Sequence, residues 1–163
     1  MPSESQRFQV LEAMQTKLRQ MDGSPNYHNA VKSASVVLDP AINLLTVPST
    51  ELPYFIIEPT PEGSKFYMPA MRLKHQFQVV ITGRQDAATG IGTARKAQAW
   101  ERLIQDVEYA LTHTGTVDDV TLGGKCTDIR LLEATPGFDL GMTTTIVVVQ
   151  PAVVTLLRSY GTP

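Results

Sequence analysis

Cysteine, charge and long apolar runs are all scarce in this chain. Only one of its 163 residues, Cys126, is a cysteine, which excludes an intramolecular disulfide and a zinc site built from several thiolates. Apolar runs such as residues 146–149 are far too short to cross a membrane, and the opening residues do not have the pattern of a signal peptide. We therefore expect a cytosolic product with no membrane partner.

Charge is low and nearly balanced. The chain carries 14 Lys and Arg against 16 Asp and Glu, a net charge of −2, without a basic run. The sequence therefore indicates no broad positively charged surface that could bind a nucleic-acid duplex. Sequence-specific nucleic-acid binding is not expected. Apolar residues make up 42% and charged residues only 18%, which leaves room for surface that other subunits cover. The length fits a single domain.

Residue types that build active sites are scattered. The three histidines are His28, His75 and His113. No two of them have the three- or four-residue spacing that would place them on one helical face, so no metal site is predicted. His75 is expected to be a packed or hydrogen-bonded strand residue, Cys126 a half-buried structural thiol, and Asp118 and Asp119 solvated loop acids. We predict no catalytic residue and a protein that is not an enzyme.

A glycine-containing segment precedes the longest predicted helix. Gly90 and Gly92 stand where a dinucleotide-binding fingerprint would place its glycines. Arg95 occupies the third glycine position, however, and eight residues separate Gly90 from the end of the preceding strand at Ile81. That strand also alternates, unlike the apolar central strand of the motif. A flexible loop over residues 83–92 is the better interpretation, and no cofactor is predicted.

Two amphipathic helices are predicted. In residues 93–111 apolar side chains recur three and four positions apart, and the Thr93 hydroxyl suits an N-cap. The apolar stripe comprises Ala97, Trp100, Ile104, Val107 and Leu111. An earlier helix at residues 7–21 follows a capping box formed by Ser3 and Gln6. Both helices need a partner surface, which the β-rich segments around them supply.

Short β-prone segments make up much of the remaining chain. The predicted strands cover residues 36–38, 54–57, 73–81, 127–132 and 143–149. Residues 73–81 alternate apolar and polar side chains, as in a strand with one wet face, whereas residues 54–57 are apolar throughout. The last two segments are predicted to pair antiparallel. The fold class is therefore α+β, a mainly antiparallel or mixed β-sheet with two long amphipathic helices packed on it.

Two segments are apolar but punctuated by proline. The first is a loop near residues 58–71, with Phe66, Tyr67, Met68 and Met71. It either folds back over the core or presents an adhesive surface, and both alternatives remain open. The second is a C-terminal tail, residues 151–163, with Val153, Leu156, Leu157 and Tyr160. Pro151 restricts it to an edge, a bulge or a tail, so we expect it to dock on its own domain or on a neighbour.

The order of six segments along the chain carries a resemblance. They are residues 7–21, Glu51-Leu52-Pro53, residues 73–81, residues 101–107, Leu122-Gly123-Gly124 and residues 128–131. With the valine-rich strand that follows, this order resembles the tail terminator, or tail completion, proteins of long-tailed bacteriophages. The likeness covers nearly the whole chain. It implies a small domain with a largely antiparallel sheet and helices packed against it.

That resemblance also implies a function as a structural virion protein. Copies of the chain would assemble in the host cytoplasm into a ring, expected to be a homohexamer. The ring would cap the tail tube at its head-proximal end, stop polymerisation of the tube protein and provide the joint to the head-completion or neck protein, while DNA only passes through the lumen. The subunit or partner contacts are assigned by hypothesis to Phe66, Tyr67, Met68, Met71, Val153, Leu156, Leu157 and Tyr160.

Three alternatives remain open. Another neck component, such as a head-closure or head–tail connector protein, would share the structural role. A small nucleotide-using enzyme built on residues 83–92 belongs to a different class. A monomeric binding module is the third.

Overall fold

The computed structural model describes residues 5–39, 41–68, 72–86, 93–136 and 145–159. The elements in chain order are α1 Gln6–Leu18, β1 Val36–Val37, β2 Tyr54–Met68, β3 Arg72–Asp86, α2 Thr93–Thr112, β4 His113–Thr114, β5 Val117–Asp118, β6 Asp128–Leu131, β7 Thr135–Pro136 and β8 Thr145–Ser159. Short 3-10 turns lie at Ser33–Ser35, Leu44–Thr46 and Ser49–Glu51. The α+β prediction is confirmed.

A mixed sheet of six strands forms the centre of the fold. Its order is β1-β2-β3-β8-β6, with β7 paired to β8. β1 runs parallel to β2, and the other pairs are antiparallel. β2, β3 and β8 have 15 residues each, roughly 50 Å at about 3.3 Å per residue. Because β1 and β6 are much shorter, they cover only part of the outer edges of β2 and β8.

Both helices pack on one face of this sheet, called here the helix face. The alternation predicted for β3 is confirmed, since its side chains at 75, 77, 79 and 81 are buried and the intervening ones are partly exposed. The core between helices and sheet includes Val10, Met14, Leu18, Phe55, Ile57, Phe77, Val79, Leu103, Val107, Leu111 and Val154. Residues 54–57 are buried on both faces, as predicted.

The helices differ in detail from the prediction. α1 has 13 residues, and its N-cap is Ser5 instead of Ser3: the Ser5 hydroxyl accepts a hydrogen bond from the Phe8 N–H. α2 has 20 residues, so only α2 is long by the usual standard. Its buried face is centred on Leu103 and Val107, which leaves Ala97 exposed at the margin of the predicted stripe.

The predicted loop at residues 58–71 was wrong for its described part. β2 continues through Met68, paired with β3 across a register shift between Pro59 and Gly63. The prolines are tolerated because β2 is an edge strand here, where a missing N–H breaks no ladder with a further strand. In addition, the Thr60 hydroxyl donates to the Gln78 carbonyl at 3.1 Å. Met71 lies outside the described residues.

The predicted C-terminal tail was also wrong for its described part. Residues 151–159 belong to β8, which lies between β3 and β6, and Pro151 sits in the middle of the strand opposite Val80. β6 does pair antiparallel with this strand, but in register with residues 152–155 instead of 143–149. The chain after Pro151 therefore forms part of the centre of the sheet.

The opposite side of the sheet, called here the open face, is covered by described residues at one end only. There the side chains of Leu44, Val47, Tyr54 and Ile56 form a second, smaller apolar cluster. Arg84 fastens this layer, because its Nη1 donates to the carbonyls of Leu44 and Val47 at 2.7 and 3.2 Å. Arg84 also pairs with Asp86 at 3.3 Å. The far end of the open face has no such cover among the described residues.

Candidate interaction surface

A shallow groove of about 420 Å³ lies at the uncovered end of the open face. Its lining residues are Met68, Lys74, Gln76, Thr127, Asp128, Arg130, Val153, Thr155 and Leu157. All except Thr127, which directly precedes β6, come from β2, β3, β6 and β8. Register places Lys74 opposite Leu157 and Gln76 opposite Thr155, while Arg130 lies opposite Val153 on the other side of β8. Alternation along each strand then directs these side chains to the same face.

Three of the predicted contact residues meet in this groove. Met68 and Leu157 are 41% and 40% exposed, and Val153 lies partly exposed near them. Exposed apolar side chains that cluster in this way mark interaction sites more often than isolated ones do. The groove therefore brings together three of the residues that the sequence hypothesis assigned to an interface.

The remaining predicted contact residues do not join it. Leu156 is only 3% exposed and packs in the core on the helix face, so its assignment to an interface was wrong. The physical reason is the period of two along β8, which turns Leu156 away from Leu157. The side chains of Phe66 and Tyr67, and the whole of Met71 and Tyr160, lie outside the part of the chain that the structure describes.

The polar part of the groove carries unpaired charge. Lys74 and Arg130 outnumber Asp128, and neither cation forms an ion pair with any residue that the structure describes. Gln76 donates to the Thr155 hydroxyl at 3.2 Å, and the Thr127 hydroxyl accepts from the Leu157 N–H at 3.2 Å. The floor of the groove is thus ordered by internal hydrogen bonds, while its cations remain available to a partner.

The outer edge of β2 forms a second candidate surface. β1 pairs only with Phe55 and Ile56, so residues 57–68 have no strand on that side within the described chain. Arg7 protects one point, because its guanidinium donates to the Thr60 carbonyl at 3.0 Å and lies 4.6 Å from the centre of the Phe77 ring. Beyond Gly63 the strand is regular and can accept a further strand.

A small hairpin of β4 and β5 projects from the helix layer. Lys17 of α1 holds it, donating to the His113 carbonyl at 2.6 Å and to the Thr114 hydroxyl. The His113 ring stacks on Tyr109 of α2, with 4.1 Å between ring centres. Val117 on the second strand is 67% exposed, more than any other large apolar side chain among the described residues.

Asp119 is the acceptor that organises the turn after this hairpin. The hydroxyl groups of Thr114 and Thr121 donate to its carboxylate at 2.6 and 2.7 Å. The Gly123 N–H and the Lys17 ammonium also donate to it, at 3.0 and 3.2 Å. These bonds, led by the two hydroxyls, hold the pKa of Asp119 well below its usual value. The expectation of a solvated acid was therefore wrong for Asp119, whereas the Asp118 side chain is 92% exposed.

The residues considered for chemistry remain apart. His75 is buried beside Phe77 and His28 is exposed. Cys126 is buried, more fully than the half-buried thiol that was expected, and burial raises the pKa of its thiol to about 11. Within the described ranges no three His, Cys, Asp or Glu residues are grouped to hold a metal ion. Gly90 and Gly92 lie outside those ranges.

Sequence reasoning missed several of these features. Lys74 and Gln76 were visible as the wet positions of an alternating strand, but nothing in the sequence indicated that Arg130 and Val153 would lie beside them. Asp106 gave no signal either: it lies buried on α2 and accepts the N–H groups of His28 and Asn29 at 2.8 Å each. Partners so distant in the chain become visible only when the fold is known.

Neither α1 nor α2, the two helices of the described chain, is long and apolar enough to cross a membrane.

No protein-family model matches the chain, and no curated protein matches it.

Proposed function

We propose that the protein is a structural subunit of a long-tailed bacteriophage. Copies of it assemble into a ring, expected to contain six, that caps the tail tube, ends its polymerisation and joins it to the head or neck protein. The observation that carries the proposal is the groove on the open face, where Met68, Val153 and Leu157 meet. A small apolar cluster covers the other end of that face, whereas no described segment covers the groove.

Ring assembly has a specific structural requirement, which supports this proposal. In a head-to-tail ring each subunit presents two different surfaces, one to each neighbour. Candidates for these surfaces among the described residues are the groove on the open face, the β4–β5 hairpin and the unpaired β2 edge at residues 57–68. Backbone pairing along such an edge gives a directed contact without demanding particular side chains. The groove and the β2 edge both lie on long strands of the sheet.

Electron microscopy of the purified full-length chain tests the proposal. Negative-stain class averages should show closed rings with a central opening. Compact single subunits at concentrations of tens of micromolar and above would contradict it.

A second measurement separates this function from that of another neck component. Added to polymerising tail-tube protein of the same phage, the rings should bind tube ends and stop elongation. Rings that bind the head portal or connector but leave tube growth unchanged would assign the protein to a different position in the neck.

A further inference from the structure

We propose that the groove receives the β4–β5 hairpin of a second copy of this chain. Val117 of the hairpin then packs against Met68 and Leu157, and Asp118 lies beside Arg130. The inference rests on the proposed function and names the partner of the groove.

The hairpin and the groove both expose apolar side chains. Val117 is 67% exposed on the second strand of the hairpin, directly after its turn, and the nearby Val120 is 42% exposed. Met68 and Leu157 expose similar fractions, 41% and 40%, at the groove. A projecting branched side chain and a shallow apolar recess are the two halves of a contact that removes both from water.

Charge is complementary as well. The Asp118 carboxylate is 92% exposed and lies 3.0 Å from the His113 ring, its partner within the described chain. The groove offers Lys74 and Arg130, with Asp128 as its one acid. In the proposed contact Asp118 therefore lies near two cations and one acid. This arrangement favours one orientation of the two copies and disfavours partners with a different charge pattern.

The two surfaces are also different parts of the molecule. Contacts of the hairpin with Lys17 and Tyr109 place it in the helix layer, whereas the groove lies on the open face. A contact between different patches of successive copies is heterologous, and it closes into a ring when the rotation between copies allows. The hairpin is already fastened by Lys17 and by the hydrogen bonds of Asp119, so little ordering is required on binding.

Crosslinking between two variants tests this contact. One protein carries Val117→Cys and the other Leu157→Cys, and the two are mixed with a short bismaleimide. Cys126 is buried and gives little background. The matched control replaces Leu157→Cys with Leu45→Cys, because Leu45 is 39% exposed but lies away from the groove. Circular dichroism confirms that each variant is folded.

The contact predicts a heterodimeric product that forms at least about tenfold faster than in the control pair, because binding raises the effective concentration of the two groups. Equal rates would overturn the inference. If rings are present but the rates are equal, the hairpin contact fails while the proposed function survives. If the chain is monomeric at every concentration, both fail.

Charge exchange provides an independent measurement. Asp118→Lys and Arg130→Glu should each weaken association of the full chain. Combining both substitutions in one protein should restore a large part of the loss, since the pair is reformed with opposite polarity. Additive losses in the double variant would contradict the assigned pairing.

Discussion

The side-chain amide of Gln150 donates to the main-chain carbonyl of Leu132 at 2.5 Å. Leu132 lies opposite Pro151, and its N–H donates to the Pro151 carbonyl at 2.9 Å. In a regular antiparallel pair, residue 151 would return a hydrogen bond to Leu132, but proline has no N–H. Gln150, which is fully buried, supplies the missing donor and allows a proline in the middle of β8.

This relationship predicts coupling between Gln150 and Pro151. Gln150→Leu should lower the free energy of unfolding by about 1–2 kcal/mol, because the Leu132 carbonyl loses its donor. In a Pro151→Ala background the new N–H can reach that carbonyl, so the same substitution should cost much less. Chemical denaturation of the four proteins gives the coupling energy. Equal costs in both backgrounds would show that the amide has no such role.

Asp119 predicts a specific dependence of stability on pH. Its pKa is lowered in the folded protein, so the ionised form stabilises the fold at pH values above the ordinary 3.8. This contribution is lost as the pH falls below that value and the carboxylate is protonated. At pH 7, Asp119→Asn should lower the free energy of unfolding by about 2–3 kcal/mol, and the difference from wild type should shrink in acid.

Asp118→Asn is the matched control for that experiment. The Asp118 side chain is 92% exposed, so at concentrations where the chain is monomeric the substitution should change stability by less than about 0.5 kcal/mol. Thermal or urea unfolding from pH 7 to about pH 2 supplies the comparison, because the contribution is lost only below the ordinary pKa of 3.8. A difference between Asp119→Asn and wild type that stays constant over this range would exclude the carboxylate charge as its source.

Gly83 is required by the ring of Phe55, its cross-strand partner on β2. A Cβ atom on residue 83 would lie 2.5 Å from Cε1 of that ring, inside van der Waals contact. Gly83→Ala should therefore lower the free energy of unfolding by about 1–3 kcal/mol. In a Phe55→Leu background the smaller side chain leaves space, and the penalty should fall. An unchanged penalty, measured by denaturant unfolding, would assign the effect to the backbone instead.

Periodicity predicted the parts of the fold that local sequence specifies. The alternation in β3 and the spacing of apolar residues in each helix arise because one face of the element is buried. This pattern is visible within the sequence of the element itself. Strand length was underestimated in β2 and β8 for one shared reason: Pro59 and Pro151 were interpreted as boundaries. Pro59 is tolerated because β2 is an edge strand there, and Pro151 because the Gln150 side chain donates to Leu132. Such compensation depends on tertiary partners.

The candidate surface was only partly predictable for a related reason. Leu156 and Leu157 are equally apolar in sequence, but opposite directions along β8 bury one and expose the other. Predicting which of the two side chains points into the core requires the register of the strand. The segment was interpreted as a tail, and a tail has no register. Val117 was overlooked because a single valine between polar residues carries no periodic signal. Its exposure follows from the hairpin that Lys17 and Asp119 hold in place.

Sedimentation velocity of wild type, Leu157→Asp and Leu45→Asp over a wide concentration range tests the central claim most directly. The two leucines are 40% and 39% exposed, so they differ in position and scarcely in exposure. The account predicts a ring-sized oligomer for wild type and Leu45→Asp, and a shift to the monomer for Leu157→Asp. A wild-type chain that stays monomeric, or two variants that associate equally, would contradict it.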